Sequence, residues 1–186
     1  MAESFSNSIK RAVGIVTSST AACTIPAEVS YISGVTTTGI STGNLVVNQH
    51  FRAGAKVTGF STASGYITVD RSSTNTANAT SQTVTFLGVT TAYSSPAAVK
   101  SILIGGTFAN LTESNINISV EVSDNSAAGT GNSTSLLASE IPIPAGGSFV
   151  ISDAGKTVLE AEDKVYVYCD TANAVDINLS ILKGVS

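Results

Sequence analysis

Short runs in which aliphatic or β-branched residues alternate with Ser, Thr, Asn or Asp recur along this chain. That alternation constrains its fold more than any other feature. In NINISVEV (115–122), Ile116, Ile118, Val120 and Val122 share one side. In KVYVYCD (164–170), Val165, Val167 and Cys169 do the same, and in VDINLSIL (175–182) so do Val175, Ile177, Leu179 and Ile181. GYITVD (65–70) places Ile67 and Val69 opposite Tyr66, Thr68 and Asp70. Successive strand side chains point to opposite faces, so each run reads as a strand with one buried face. The makeup of the chain agrees. It holds 27 Ser, 23 Thr, 16 Gly, 4 Pro and no Trp in 186 residues, and its apolar set leans on Val and Ile. This favours strands and tight turns over helices.

The same arithmetic removes several function classes. Nine basic and thirteen acidic residues leave a net charge of −4. Nucleic-acid binders carry a basic face, because phosphate contacts dominate their affinity. One His and two Cys do not supply the usual zinc ligand sets. No apolar run reaches the 18 or more residues of a membrane span, and MAESFSNSIKRAVGIV has no signal-peptide apolar core. The expectation is a soluble β protein that binds neither nucleic acid nor membrane.

The chain divides into three stretches. Residues 1–29 comprise an N-terminal segment, a first strand read in AVGIVTSS, and a connector from about residue 17. Phe5 and Ile9 are four apart and Lys10-Arg11 close the segment, which suits a short helix with Ser4 or Ser6 as its cap, or an assembly arm. Residues 30–88 hold short β-branched runs separated by Gly34, Gly39, Gly43, Gly54, Gly59 and Gly65. They predict a small inserted β module with strands at Ala55–Phe60, Tyr66–Asp70 and Thr83–Leu87 and a polar loop over 72–82. Residues 89–186 predict the main body, with a bulge or close approach at Gly105-Gly106 and loops over 123–134 and 153–163. Residues 1–95 carry a net charge of +2 and residues 96–186 of −6, a polarity that would help copies meet head to tail.

Several segments carry a more specific likeness. IKRAVG near the start, TTAYSSPAAVKSILIGGTFANLT, INISVEV, IPIPAGGSFVI, KTVLEAEDKVYVYC and TANAVDINLSIL follow in order. Together they resemble small β-sandwich structural proteins of tailed bacteriophages, in a version associated with phages of marine cyanobacteria. The resemblance covers residues 1–16 and 89–186, and residues 30–88 are similar to small β modules of phage surface and fibre proteins. It implies an all-β fold: an antiparallel, jelly-roll-like β-sandwich with the inserted module. It further implies a non-enzymatic virion protein, assembled in the host bacterial cytoplasm, whose partners are other virion proteins (capsid, neck or tail subunits) and itself as a homo-oligomer. Head decoration and a neck or tail accessory role both fit. The group brings no cofactor and no active-site residue. A host-receptor or glycan-binding adhesin centred on residues 30–88 is the alternative.

Candidate chemistry is sparse. His50 is the only imidazole, and no G-x-S-x-G elbow accompanies it. Glu160, Glu162 and Asp163 cluster before a strand and read as a turn, with a weak calcium site as the other reading. Asp124, Asn125, Gly129, Thr130, Gly131 and Asn132 read as a hairpin loop or a metal or partner contact. Cys23 and Cys169 read as buried free thiols. Sequons at Asn78, Asn110, Asn117, Asn132 and Asn178 follow from a chain rich in Ser, Thr and Asn. The candidate interface residues are Phe5, Ile9, Tyr166 and Tyr168. The two tyrosines alternate with Val165 and Val167 and so face away from the core, where Tyr is enriched at contacts.

Overall fold

The computed structural model describes residues 3–125, 133–152 and 156–185. Fifteen strands and no helix occur among them: β1 (Ser4–Val13), β2 (Ile15–Ile25), β3 (Tyr31–Ser33), β4 (Leu45–Val47), β5 (Val57–Ser61), β6 (Tyr66–Val69), β7 (Ala79–Gly88), β8 (Thr90–Ser94), β9 (Lys100–Asn110), β10 (Ile116–Asp124), β11 (Ser133–Ile143), β12 (Ser148–Ile151), β13 (Thr157–Leu159), β14 (Lys164–Cys169) and β15 (Val175–Val185). All pairings between them are antiparallel. The chain forms two compact units, Met1–Gly14 with Thr90–Ser186, and Ile15–Val89.

The first unit is a two-sheet sandwich. One sheet runs β1-β15-β9-β12, with β13 also on β9, and the other runs β11-β10-β14-β8. The alternating runs supply the core between them. Ile116, Ile118, Val120, Val165, Val167, Cys169, Val175, Ile177, Leu179 and Ile181 are all buried, with Phe108 and Leu159 beside them. Each such aliphatic side chain contributes about 1.5–3 kcal/mol by leaving water. β9 is bulged at Ile104, just before Gly105-Gly106. A Cβ on Gly106 would lie 2.5 Å from Leu179 Cδ2, so this glycine marks the close approach its sequence suggested.

Asn110, at the end of β9, ties that strand to the far end of the second sheet. Its buried amide donates to the carbonyls of Ser114 at 2.7 Å, Ile143 at 3.0 Å and Pro144 at 3.1 Å. Its carbonyl oxygen accepts from Thr112 N and Thr112 Oγ1, each at 2.8 Å. The sequon at Asn110 therefore encodes a structural clamp.

Residues 4–13 form a strand and not the expected short helix. Phe5 and Ile9 fall on one face of either element, because a spacing of four satisfies the 3.6-residue helix and the two-residue strand alike. Pairing decides between them: Ser4 to Lys10 run in unbroken register against Lys183 to Ile177 of β15. An isolated ten-residue helix has no comparable support in water.

The second unit begins earlier than the glycine-rich text suggested. Ile15–Ile25, read as the end of a first strand and a connector, is β2, which pairs along most of its length with β7. β7 itself starts at Ala79, inside the expected polar loop. The sheet order is β4-β7-β2-β3-β6-β5. Its two ends also meet: Gly43 N donates to Val57 O at 2.8 Å, Val57 N to Asn44 O at 3.0 Å and Val46 N to Ala55 O at 2.8 Å. The sheet thus closes on itself as a small barrel around Ile25, Ile32, Ile67, Val84 and Phe86. Closure removes open strand edges.

Gly14 lies where the first unit hands the chain to the second. Its φ is +131°, and a Cβ there would overlap the Thr171 carbonyl oxygen. AVGIVTSS is consequently two strands broken at Gly14.

Two outcomes follow from these packings. Asn110→Ala should lower the unfolding free energy by about 3 kcal/mol, since it strands buried carbonyl groups, and a urea titration measures this. Replacing residues 15–89 by a short Gly-Ser linker should leave a sandwich that unfolds in one cooperative calorimetric transition.

Candidate functional site

The outer face of the β1-containing sheet carries the most distinctive surface of the first unit. The registers place Phe5, Leu182, Ile102 and Val158 in one row across β1, β15, β9 and β13. A second row runs Ile9, Asn178, Thr107 and Val150 across β1, β15, β9 and β12. Phe5 is 78% exposed, Ile9 63%, Val158 56% and Val150 55%. Between the rows, Ser180 stands opposite Gly105, and a shallow hollow opens there, bounded by Ile104, Thr107 and Val150. The first row is apolar throughout, and the second is apolar at its ends, Ile9 and Val150, and polar at Asn178 and Thr107.

β1 ends the sheet order, so one side of its backbone has no strand beside it among the described residues. Its even-numbered residues turn inward: Ser8 Oγ donates to Ala92 O at 2.8 Å, across the margin of the sandwich. Phe5, Asn7 and Ile9 turn outward. Glu3 lies exposed at one end and Arg11 at the other. Arg11 Nε is 3.6 Å from Asp176 Oδ2, and Ala12 N donates to Asp176 Oδ1 at 2.8 Å. The guanidinium is highly exposed, so its pairing with Asp176 contributes little.

The four sequence candidates do not form one patch. Phe5 and Ile9 lie together on β1, while Tyr166 and Tyr168 lie on β14 of the other sheet. Tyr166 is half-buried, and Tyr168 is 2% exposed, contrary to its expected place on an open face. Alternation assigned its side of the strand correctly, but that side is covered too: Ser119, Glu121 and Ser123 on the same face are buried. Burial, and after it the charges of Glu121 and Tyr166, push the Tyr168 hydroxyl well above its ordinary range. Val150, Val158, Ile102 and Leu182 were not picked out from sequence. Their signal was present in the adjacent apolar residues of ILI (102–104), FVI (149–151), VL (158–159) and IL (181–182), which leave apolar residues on both faces of a strand.

The acidic cluster is a structural joint. Asp163 is buried, and its carboxylate accepts from Glu160 N and Asn125 N at 2.8 Å each. Its carbonyl accepts from Ser95 N at 2.8 Å, and Glu162 N donates to Ser95 O at 3.1 Å. Glu160 pairs instead with Lys100 at 3.1 Å. Backbone and carboxylate groups together thus tie the cluster to the segments at Ser95, Lys100 and Asn125. Among the described residues no group of three or more His, Cys, Asp and Glu could hold a metal ion. Gly129, Thr130, Gly131 and Asn132 of the candidate loop lie outside the described residues. Thr157–Leu159, expected within a loop, is β13 and pairs with β9.

His50 sits in the second unit, with its ring Nε2 3.3 Å from the Gln49 amide nitrogen. Its carbonyl accepts from Thr74 N at 2.8 Å, so the backbone there is pinned. In the same unit Tyr31, Tyr66 and Thr68 line a small apolar hollow on β3 and β6. Tyr31 is 41% exposed and Tyr66 39%.

Cys23 and Cys169 are free and buried, one in each unit. Burial raises both thiols, and Cys169 rises from 9.0 to about 11, with Asp170 adding to burial against a hydrogen bond from Thr171 N. Comparison with protein-family models, curated proteins and solved structures finds no match to this chain.

The thiols generate a direct test. A raised folded pKa favours the neutral form in the native state. Stability from Cys169 is therefore present below pH 9 and lost as pH rises toward 11. A urea series across that window should show the fall, and Cys169→Ala should flatten it. Ellman's reagent should leave both thiols unmodified at pH 8 in the native protein and react with both after unfolding.

Proposed function

We propose that this chain is a non-enzymatic virion structural protein of a tailed bacteriophage that acts by assembling with copies of itself and with neighbouring capsid, neck or tail subunits. The observation that carries this reading is the strand order of the first unit. Numbering only its own strands, and counting β12 and β13 as one interrupted strand, one sheet runs first, eighth, third, sixth and the other runs fifth, fourth, seventh, second. That order supports a jelly-roll reading of the sandwich, an architecture shared by viral capsid and lectin domains. Fold alone does not assign function. The phage-like segments of residues 1–16 and 89–186 fall on the same unit except for Ile15, Val16 and Val89, and together they favour the virion over a lectin.

Assembly requires a surface to assemble through. The first unit offers an open strand edge at β1 and, beside it, one apolar row and two further exposed apolar side chains, Ile9 and Val150. Edge strands and apolar rows are liabilities on a monomer and assets in a lattice. Many modest contacts of this kind, repeated by symmetry, hold each copy on a particle. The barrel of residues 15–89, closed and rich in Ser and Thr, suits an outward, solvent-facing position.

A second reading has its own observation. The hollow at Tyr31 and Tyr66 presents two phenol rings, the side-chain type that stacks on sugars and fills interface pockets. It favours a glycan or receptor contact made by the barrel. Tyr31→Ala with Tyr66→Ala should abolish binding of purified host surface polysaccharide if that reading holds and leave particle assembly unchanged.

Cryo-electron microscopy of the intact particle tests the main reading. Density for this chain on the capsid lattice, or in a ring at the neck or tail, is the expected result, and its absence from purified particles overturns the proposal. Phe5→Ser with Ile9→Ser should reduce incorporation severalfold. Because both side chains are largely exposed, unfolding free energy should change by less than about 0.5 kcal/mol.

A further inference from the structure

We infer that β1 is a self-complementary dimer edge: two copies of this chain pair β1 with β1 antiparallel, about a two-fold axis through Asn7. The inference rests on the assembly reading and specifies the first contact within it.

Among the edges of the sandwich, β1 is the one fit for this. β8 spans only Thr90–Ser94, and β12 and β13 together form a broken edge. β11 is long, but its pairing with β10 shifts register twice, and Glu140 on it has a φ of +49°. Short, broken or bulged strands resist strand addition. β1 keeps regular register from Ser4 to Lys10, and its shift comes only beyond Lys10.

The side chains then select the partner and the register. Two sheets joined by a two-fold axis perpendicular to them place like faces together, so outward residues must meet outward residues. Centred on Asn7, the pairing sets Phe5 against Ile9 of the other copy and Asn7 against Asn7, and brings Glu3 beside Arg11, just past the two ends of the regular stretch. On the outward face both apolar side chains gain an apolar neighbour and both charges an opposite one, while Lys10 on the other face meets Ser4. Directly opposed residues of this kind are the unit of sheet stabilisation. Centred one residue earlier, the pairing would set Glu3 against Ile9 and Phe5 against Asn7. Centred one residue later, it would set Phe5 against Arg11 and Asn7 against Ile9. Only the Asn7 register matches charge with charge and apolar with apolar. It also joins the row Val158, Ile102, Leu182, Phe5 to Ile9 of the second copy, so the apolar surface continues across the junction.

Five variants of the full chain test the register. Asn7→Cys places two thiols directly opposite each other, with Cα atoms about 4.5–5.5 Å apart, within disulfide reach. Under diamide it should give a covalent dimer on a non-reducing gel. Ile9→Cys should not, since residues 9 of the two copies would stand ~13 Å apart along the strands. Sedimentation equilibrium should show Glu3→Arg and Arg11→Glu each weakening the dimer at least tenfold, and the double exchange restoring it. Arg11→Glu also loses the Asp176 contact, which the double exchange does not restore, so recovery reports the pair between copies. A monomeric wild-type chain at about 100 µM, equal cross-linking at residues 7 and 9, or no recovery in the double exchange overturns the inference. Those results are read in solution. They are distinct from absence of the chain from the particle, which would overturn the assembly reading itself.

Discussion

The sandwich depends on β15 lying between β1 and β9. Strands from the two ends of the described chain must meet before the first sheet exists, and the residues of β15 that face inward, Ile177, Leu179 and Ile181, are also the centre of the core. Every other strand of that sheet is placed by this ladder. β1 has its partner only there, β9 is held in register by it, and β12 and β13 attach to β9 in turn. Such pairing is long-range in sequence, which makes it costly to initiate. It is also indifferent to what is inserted between β1 and β8, because neither strand is β-paired to the other. This is why a whole barrel can occupy residues 15–89 without altering the sandwich's order.

The two units solve the edge problem in different ways. The barrel closes its sheet with hydrogen bonds between the Gly43–Val46 and Ala55–Val57 segments and leaves no end strand. The sandwich keeps its edges and protects most of them by brevity or bulges. β1 is the exception: regular, flanked by charges of opposite sign and bearing Phe5 and Ile9 in the open. A chain that closes one of its two sheet systems and leaves one regular edge open on the other has concentrated its capacity for strand addition in one place.

Polar groups finish what apolar alternation begins. Asn110 clamps the end of β9 to the carbonyls that end β11, and Asp163 joins the turn before β14 to the segments at Ser95 and Asn125. Both looked like ordinary surface chemistry in the sequence, one as a sequon and one in an acidic cluster. Burial changes their meaning: a buried carboxylate or amide that accepts and donates fully rigidifies the backbone it binds.

Local sequence determined that the alternating runs are strands and which side of each faces the core. Ile116, Ile118, Val120, Val165, Val167, Ile177, Leu179, Ile67 and Val69 are buried as their alternation indicates, because a period of two is a property of the strand itself. Only the tertiary structure decided the rest. It made residues 4–13 a strand through β15, since a four-residue spacing is common to helix and strand. It made Ile15–Ile25 the middle of a barrel through β7, since a strand's text does not name its partner. It buried Tyr168 on the side that alternation called outward, since a sheet has two faces and the sequence of one strand shows only that they differ.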